Sequence, residues 1–152
     1  MTKINSAMRT YLSENSRETK DFSVENFVSK ILDNTKPYFD LILYCPTNDV
    51  FFNQIDIEKI YKFFGDKTGY EASVNEVSIG NGEYNPSQII ELSRKLINGL
   101  NSVFSNRNFC VIVSVDEKRT NVRFHTIRSD EPLWCDIDVE KYQEPVLIEF
   151  SE

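Results

Sequence analysis

The spacing of apolar residues divides the chain into helical and strand-like stretches. Ile4, Ala7, Met8, Tyr11 and Leu12 recur at helical spacing and predict a short N-terminal helix, followed by a loop over Ser13 to Lys20. Phe27, Val28, Ile31 and Leu32 predict a second helix. Ser23 suits its N-cap, Phe22 and Phe27 suit a hydrophobic staple, and Asn34 and Pro37 end it. Tyr38 to Cys45 is apolar except for Asp40 and reads as one buried strand closed by Pro46. A loop from Thr47 to Asn53 carries Phe51 and Phe52. Ile57, Ile60, Tyr61 and Phe64 then predict a helix capped by Asp56 and stopped by Gly65.

Tyr70 to Ile79 alternates and predicts a strand, with a shift of apolar parity near Glu76 that suggests a bulge. Gly80-Asn81-Gly82 is a turn. Asn85 followed by Pro86 opens the strongest helix, which runs to about Phe104 and carries Ile89, Leu92, Leu96, Ile97 and Leu100; Gly99 weakens it slightly. The last third is strand-like. Asn108 to Val115 has the composition of a central strand, and Asp116 to Thr120 forms a charged hairpin turn. Asn121 to Arg128 alternates, with Val122, Phe124 and Thr126 on one side and Arg123, His125 and Ile127 on the other. Leu133 to Val139 and Pro145 to Phe150 follow as further strands. The expected architecture is α+β: one domain over 1–152, with a single mainly antiparallel sheet of about five or six strands in a meander. Two or three helices pack on one face, and the other face is partly exposed.

Charge changes the picture at one place. The chain has 24 acidic and 17 basic side chains, a net charge of −7. Asp130, Glu131, Asp136, Asp138, Glu140, Glu144, Glu149 and Glu152 are opposed only by Lys141, so the whole net charge lies in the last 23 residues, with the single Trp. If Leu133 to Glu140 is a strand, Leu133, Cys135, Ile137 and Val139 face a core, and Trp134, Asp136, Asp138 and Glu140 form an acidic outer row. An exposed Trp among carboxylates suits a basic protein partner, whereas charge on an edge strand alone only blocks unwanted pairing.

A sequence pI near 4.8 argues against nucleic acid and anionic membrane surfaces as partners. The N-terminus has no apolar signal region and no run is long enough to span a bilayer, so a cytoplasmic protein is expected. Cys45, Cys110 and Cys135 have no metal-binding spacing and read as reduced, apolar packing residues, although a disulfide between two of them would leave one thiol over.

Candidate chemistry is sparse. His125 is the only imidazole and has no Cys or second His at ligand spacing; on a strand it shares a surface face with Arg123. Asp136 and Asp138 are spaced for a divalent ion or an acid/base pair but lack any supporting loop. Gly80-Asn81-Gly82 precedes a helix yet carries no phosphate-loop lysine, and Glu83 would repel an anion. No cofactor, no metal and no enzymatic activity are expected.

With its D-E-P-L-W-C-D-I-D-V-E run, the chain resembles, in type and over its whole length, the immunity proteins that bacteria make against their own toxins, including those of contact-dependent growth inhibition systems. The resemblance implies tight binding of a cognate toxin, basic and in many such systems a nuclease, by Trp134, Asp136, Asp138 and Glu140, with Asp130 and Glu131 at the rim. Glu71, Asn75 and Glu83 form a second candidate patch. Two alternatives stand beside it. One is a small enzyme or ligand-binding domain with a pocket between helices and sheet, using His125, Arg123 and Cys135 or Asp136. The other is a subunit that assembles with itself through an exposed sheet face.

Overall fold

The computed structural model describes residues 1–14, 21–47 and 55–151. The expected loop carrying Phe51 and Phe52, and most of the one after the first helix, lie outside these residues. In chain order the elements are β1 (Thr2–Ile4), α1 (Ser6–Glu14), α2 (Val24–Asp33), β2 (Thr35–Tyr38), β3 (Leu41–Tyr44), α3 (Ile57–Phe64), α4 (Lys67–Val74), β4 (Glu76–Gly80), α5 (Gln88–Val103), β5 (Phe109–Val115), β6 (Arg119–Thr126) and β7 (Val146–Phe150). The class is α+β, with more helices than expected. A five-stranded antiparallel sheet has the order β1-β7-β5-β6-β4, and β2 and β3 form a separate two-stranded sheet. This order is not a meander. The β5–β6 hairpin is flanked by β7 on one side and β4 on the other, and β1 closes the β7 edge.

Local signals built the helices where they were strong. Ser23 Oγ accepts the Asn26 amide at the start of α2, and the Phe22 and Phe27 rings stack at 5.6 Å as the staple. Asp56 caps α3, and Gly65 ends it in the left-handed region at φ 81°. Two expected strands that precede α5 changed. The run from Tyr38 to Cys45 folds instead around a tight turn at Phe39 and Asp40, with Phe39 at φ 51°, so it belongs to the β2–β3 hairpin. The stretch from Tyr70 to Ile79 splits into the end of α4 and β4, because Asp66 caps a helix at Lys67 through the Gly69 amide.

The alternation of β5, β6 and β7 sends two sets of side chains to two cores. Val111, Val113, Val115, Val122, Phe124 and Leu147 face α1, α2 and α5 and meet Met8, Val28, Ile31, Leu96 and Leu100. Cys110, Ile112, Val146, Ile148 and Phe150 face the other way. That second face is not open. The segment from Glu131 to Glu144 crosses it as an irregular strap with one 3-10 turn at Val139–Lys141, and sets Cys135 and Val139 onto it. The strand expected over Leu133 to Val139 does not form. Both edges near it are already taken, β7 by β1 and β6 by β4, and Pro132 offers no amide. Its backbone is satisfied by side chains: Lys3 and Asn5 donate to the carbonyls of Ile137, Tyr142 and Glu144, and Asp136 N–H donates to Tyr142 Oη. No helix among the described residues is long and apolar enough to cross a membrane.

Candidate functional site

The strap carries every residue expected to grip a partner except Asp130, which directly precedes it, but it uses several of them internally. Glu131 accepts hydrogen bonds from the Lys67 and Thr68 amides and from Thr68 Oγ1, and so caps α4. Burial works to raise its carboxyl, but these bonds and Arg128 hold it below its usual range. Glu140 accepts the Ser6 amide at the start of α1 and pairs with Arg9 at 3.4 Å. Asp136 pairs with Lys141 at 2.6 Å and accepts the Asp138 amide. These contacts lower the carboxyls of Glu140 and Asp136 as well. The acidic row of one strand face is therefore replaced by a strap whose carboxylates cap helices and pair locally. Asp130, Asp138 and Glu144 remain exposed with no ion pair among the described residues.

Trp134 stays on the surface, 43% exposed, and the Arg123 guanidinium lies over its ring at 5.0 Å. Arg123 is itself held by Glu76 across the β4–β6 pair. Trp134, Arg123, Tyr142 and Glu144 surround a small cavity of about 60 Å³ whose floor is Ile112, Cys135 and Val146. A rigid aromatic stacked on Arg beside an apolar hollow is the usual composition of a binding hot spot.

Beneath this cavity the sheet brings together residues far apart in sequence. Cys110 and His125 are register partners on β5 and β6, so their side chains leave the same face side by side. The strap lowers Cys135 onto them, with its Sγ 4.0 Å from Cys110 Sγ. His125 is fully buried, not the surface residue expected beside Arg123. Its Nδ1 lies 3.0 Å from the Thr126 carbonyl, which can only accept, so Nδ1 donates there and Nε2 is the ring nitrogen left over. That Nε2 is buried with no hydrogen-bond partner among the described residues, at a cost of about 1–3 kcal/mol. The Cys110 hydrogen bond and the His125 imidazole draw the Cys135 thiol down from the ordinary range, and the same shared proton together with burial pushes Cys110 up. His125, Arg123 and Cys135 thus meet, as the pocket alternative supposed, but Asp136 does not join them. Cys110 was missed. Its signal was the charged turn at Asp116 to Thr120, which pairs Val115 with Thr120 and, counted back, Cys110 with His125.

The second candidate patch is not a surface. Glu71 is fully buried: it accepts the Ile42 and Thr126 amides and both Nη atoms of Arg128. Asn75, also buried, accepts the Tyr44 amide and donates to the carbonyls of Ile42 and Phe124. Glu71 on α4 and Asn75 at its C-cap act as a substitute strand that joins β3 to the end of β6 beyond β4. Glu83 turns back to accept the Gly80 amide. A larger open cavity, about 500 Å³, lies between α5 and the β1–β7 edge, lined by Arg94, Asn98, Asn101, Thr2 and Glu149. It contains none of His125, Arg123 or Cys135. No group of three or more His, Cys, Asp or Glu among the described residues could hold a metal ion.

No curated protein and no solved structure matches the chain. One family model does, over residues 3–152, which is nearly the entire length. The chain belongs to the uncharacterized protein PM0498 family.

Proposed function

We propose that this protein acts by binding a basic partner protein and neutralising it, in the manner of the toxin-immunity proteins that its acidic run resembles, and that the grip is centred on Trp134. The observation that carries this reading is the half-exposed Trp134 under Arg123, in the one segment that holds the net negative charge. Trp134 supplies apolar area at low entropic cost, and Asp130, Asp138 and Glu144 supply exposed carboxylates that form no ion pair among the described residues. Glu131, Asp136 and Glu140 act on the fold more than on the partner, since each already serves a helix end or a neighbouring Lys.

The test is co-expression with the basic protein encoded beside it in the source genome. Growth lost when that protein is expressed alone should return when this chain is present. Rescue should fail with Trp134→Ala combined with Asp138→Lys, both of which leave the core untouched. Phe63→Ala is the control: Phe63 is 71% exposed on α3, outside the strap, and its loss should leave rescue intact. Full rescue by the Trp134 double variant would move the grip elsewhere, and absence of any rescue would overturn the reading.

A further inference from the structure

We propose that Cys135 and Cys110 form a peroxide-reactive dithiol, in which a small hydroperoxide enters beside Trp134, oxidises Cys135, and is followed by closure of a Cys110–Cys135 disulfide. This stands apart from the partner-binding reading and does not depend on it. Three geometric facts support it. The two sulfurs lie 4.0 Å apart on facing elements. Cys135 lines a cavity of about 60 Å³, and a water molecule's share of liquid is about 30 Å³, so a molecule of hydrogen peroxide's size fits against it. The fully buried His125, register partner of Cys110, has an Nε2 with no hydrogen-bond partner among the described residues, a ring nitrogen available to take a proton in the same cluster. A site built only for packing has no use for such a group, since an apolar side chain would fill the space without leaving a polar atom unsatisfied.

The chemistry balances with a hydroperoxide as the oxidant. His125 takes the Cys135 proton. The thiolate attacks the near peroxide oxygen, an S–O bond forms, and the O–O bond breaks. The leaving alkoxide or hydroxide recovers the proton from His125, and Cys135 is left as the sulfenic acid. Arg123 lines the same cavity and stabilises charge on the leaving oxygen. Cys110 then attacks the sulfenic sulfur. The S–S bond forms, the S–O bond breaks, and hydroxide leaves with the Cys110 proton as water. Two thiols lose two electrons, and the peroxide is reduced to an alcohol, or to water, plus one further water.

Cys45 provides an internal reference, because it is the more exposed thiol and lies outside the cluster. The folded protein is treated with one equivalent of hydrogen peroxide, quenched with N-ethylmaleimide in urea, and mapped by mass spectrometry. The expected result is a Cys110–Cys135 linked peptide while Cys45 is still alkylated. In Cys110→Ser, Cys135 should accumulate as a sulfenic acid that dimedone traps. His125→Gln should slow Cys135 oxidation by on the order of a hundredfold, with the Cys45 rate unchanged. Oxidation of Cys45 ahead of Cys135, or failure of the linked peptide to form in the unaltered protein, would overturn the proposal. An unchanged rate in a folded His125→Gln would remove His125 as the base. The unaltered protein alone decides the matter should a buried variant fail to fold.

Discussion

Glu71 on α4 and the carboxylates of the strap are the same chemistry in opposite surroundings. Glu71 is fully buried and fully bonded, to two backbone amides and to Arg128 at 2.8 Å. Around the same cluster Asp40 collects Lys67, Arg107 and Arg128. The strap carboxylates sit at the surface, where screening leaves an ion pair worth little. The comparison teaches that a charge reads as structural when it lies where water cannot replace its partners. The most acidic stretch of the chain is therefore not where most of the electrostatic stability resides. The strap is the region with charge left over for something outside the molecule.

The largest effect should come from the buried side. Glu71→Ala leaves two buried amides without an acceptor and takes from the buried Arg128 the nearer of its two carboxylates, and should cost about 3–5 kcal/mol in urea unfolding, enough to abolish folding in a marginal domain. The matching change on the strap, Asp138→Ala, should leave the unfolding midpoint unchanged. If the two variants were equally destabilised, the contrast would collapse.

Acid should separate the two regions next. Burial works to raise the Asp40 carboxyl, but hydrogen bonds from Lys67 and Arg107 and the charge of Arg128 outweigh it and hold it at about 2, against 3.8 for a free Asp. A depressed carboxyl contributes stability that is present above the free value and is lost as pH falls through the folded one. Stability should therefore drop between about pH 4 and pH 2, and Asp40→Asn should flatten that part of a pH-melting series. A smaller loss, about 1 kcal/mol, is expected for Glu131→Ala, which uncaps α4 while leaving Asp66 in place. The smallest should be Asp136→Asn, whose partner Lys141 is itself exposed; its thermal midpoint should match the unaltered protein within error.

Legibility in the sequence followed the range of the forces involved. The helices capped by Ser23 and Asp56 were readable, because an N-cap, a staple and a C-terminal glycine all act within one turn of the chain. β5 and β7 were readable from their apolar composition. The strap was misread because alternation alone describes a strand only when a free edge is available to pair with it, and here β1 and β4 occupy those edges. Glu71 and Asn75 were misread as surface because the space they fill, between β3 and β6, exists only after the hairpin at Phe39 and Asp40 has closed.

The sequence by itself determined the α+β class, the main helices, the central hairpin and the concentration of negative charge beside the single Trp. These depend on local propensity, on periodicity and on counting. Only the tertiary structure decided that the acidic segment lies across the sheet, that three of its carboxylates serve helix ends and a neighbouring Lys, and that Cys110, His125 and Cys135 meet beneath Trp134. Each of these joins residues separated by long stretches of chain, and no local rule fixes which face a segment will cover until the edges that compete for it are occupied.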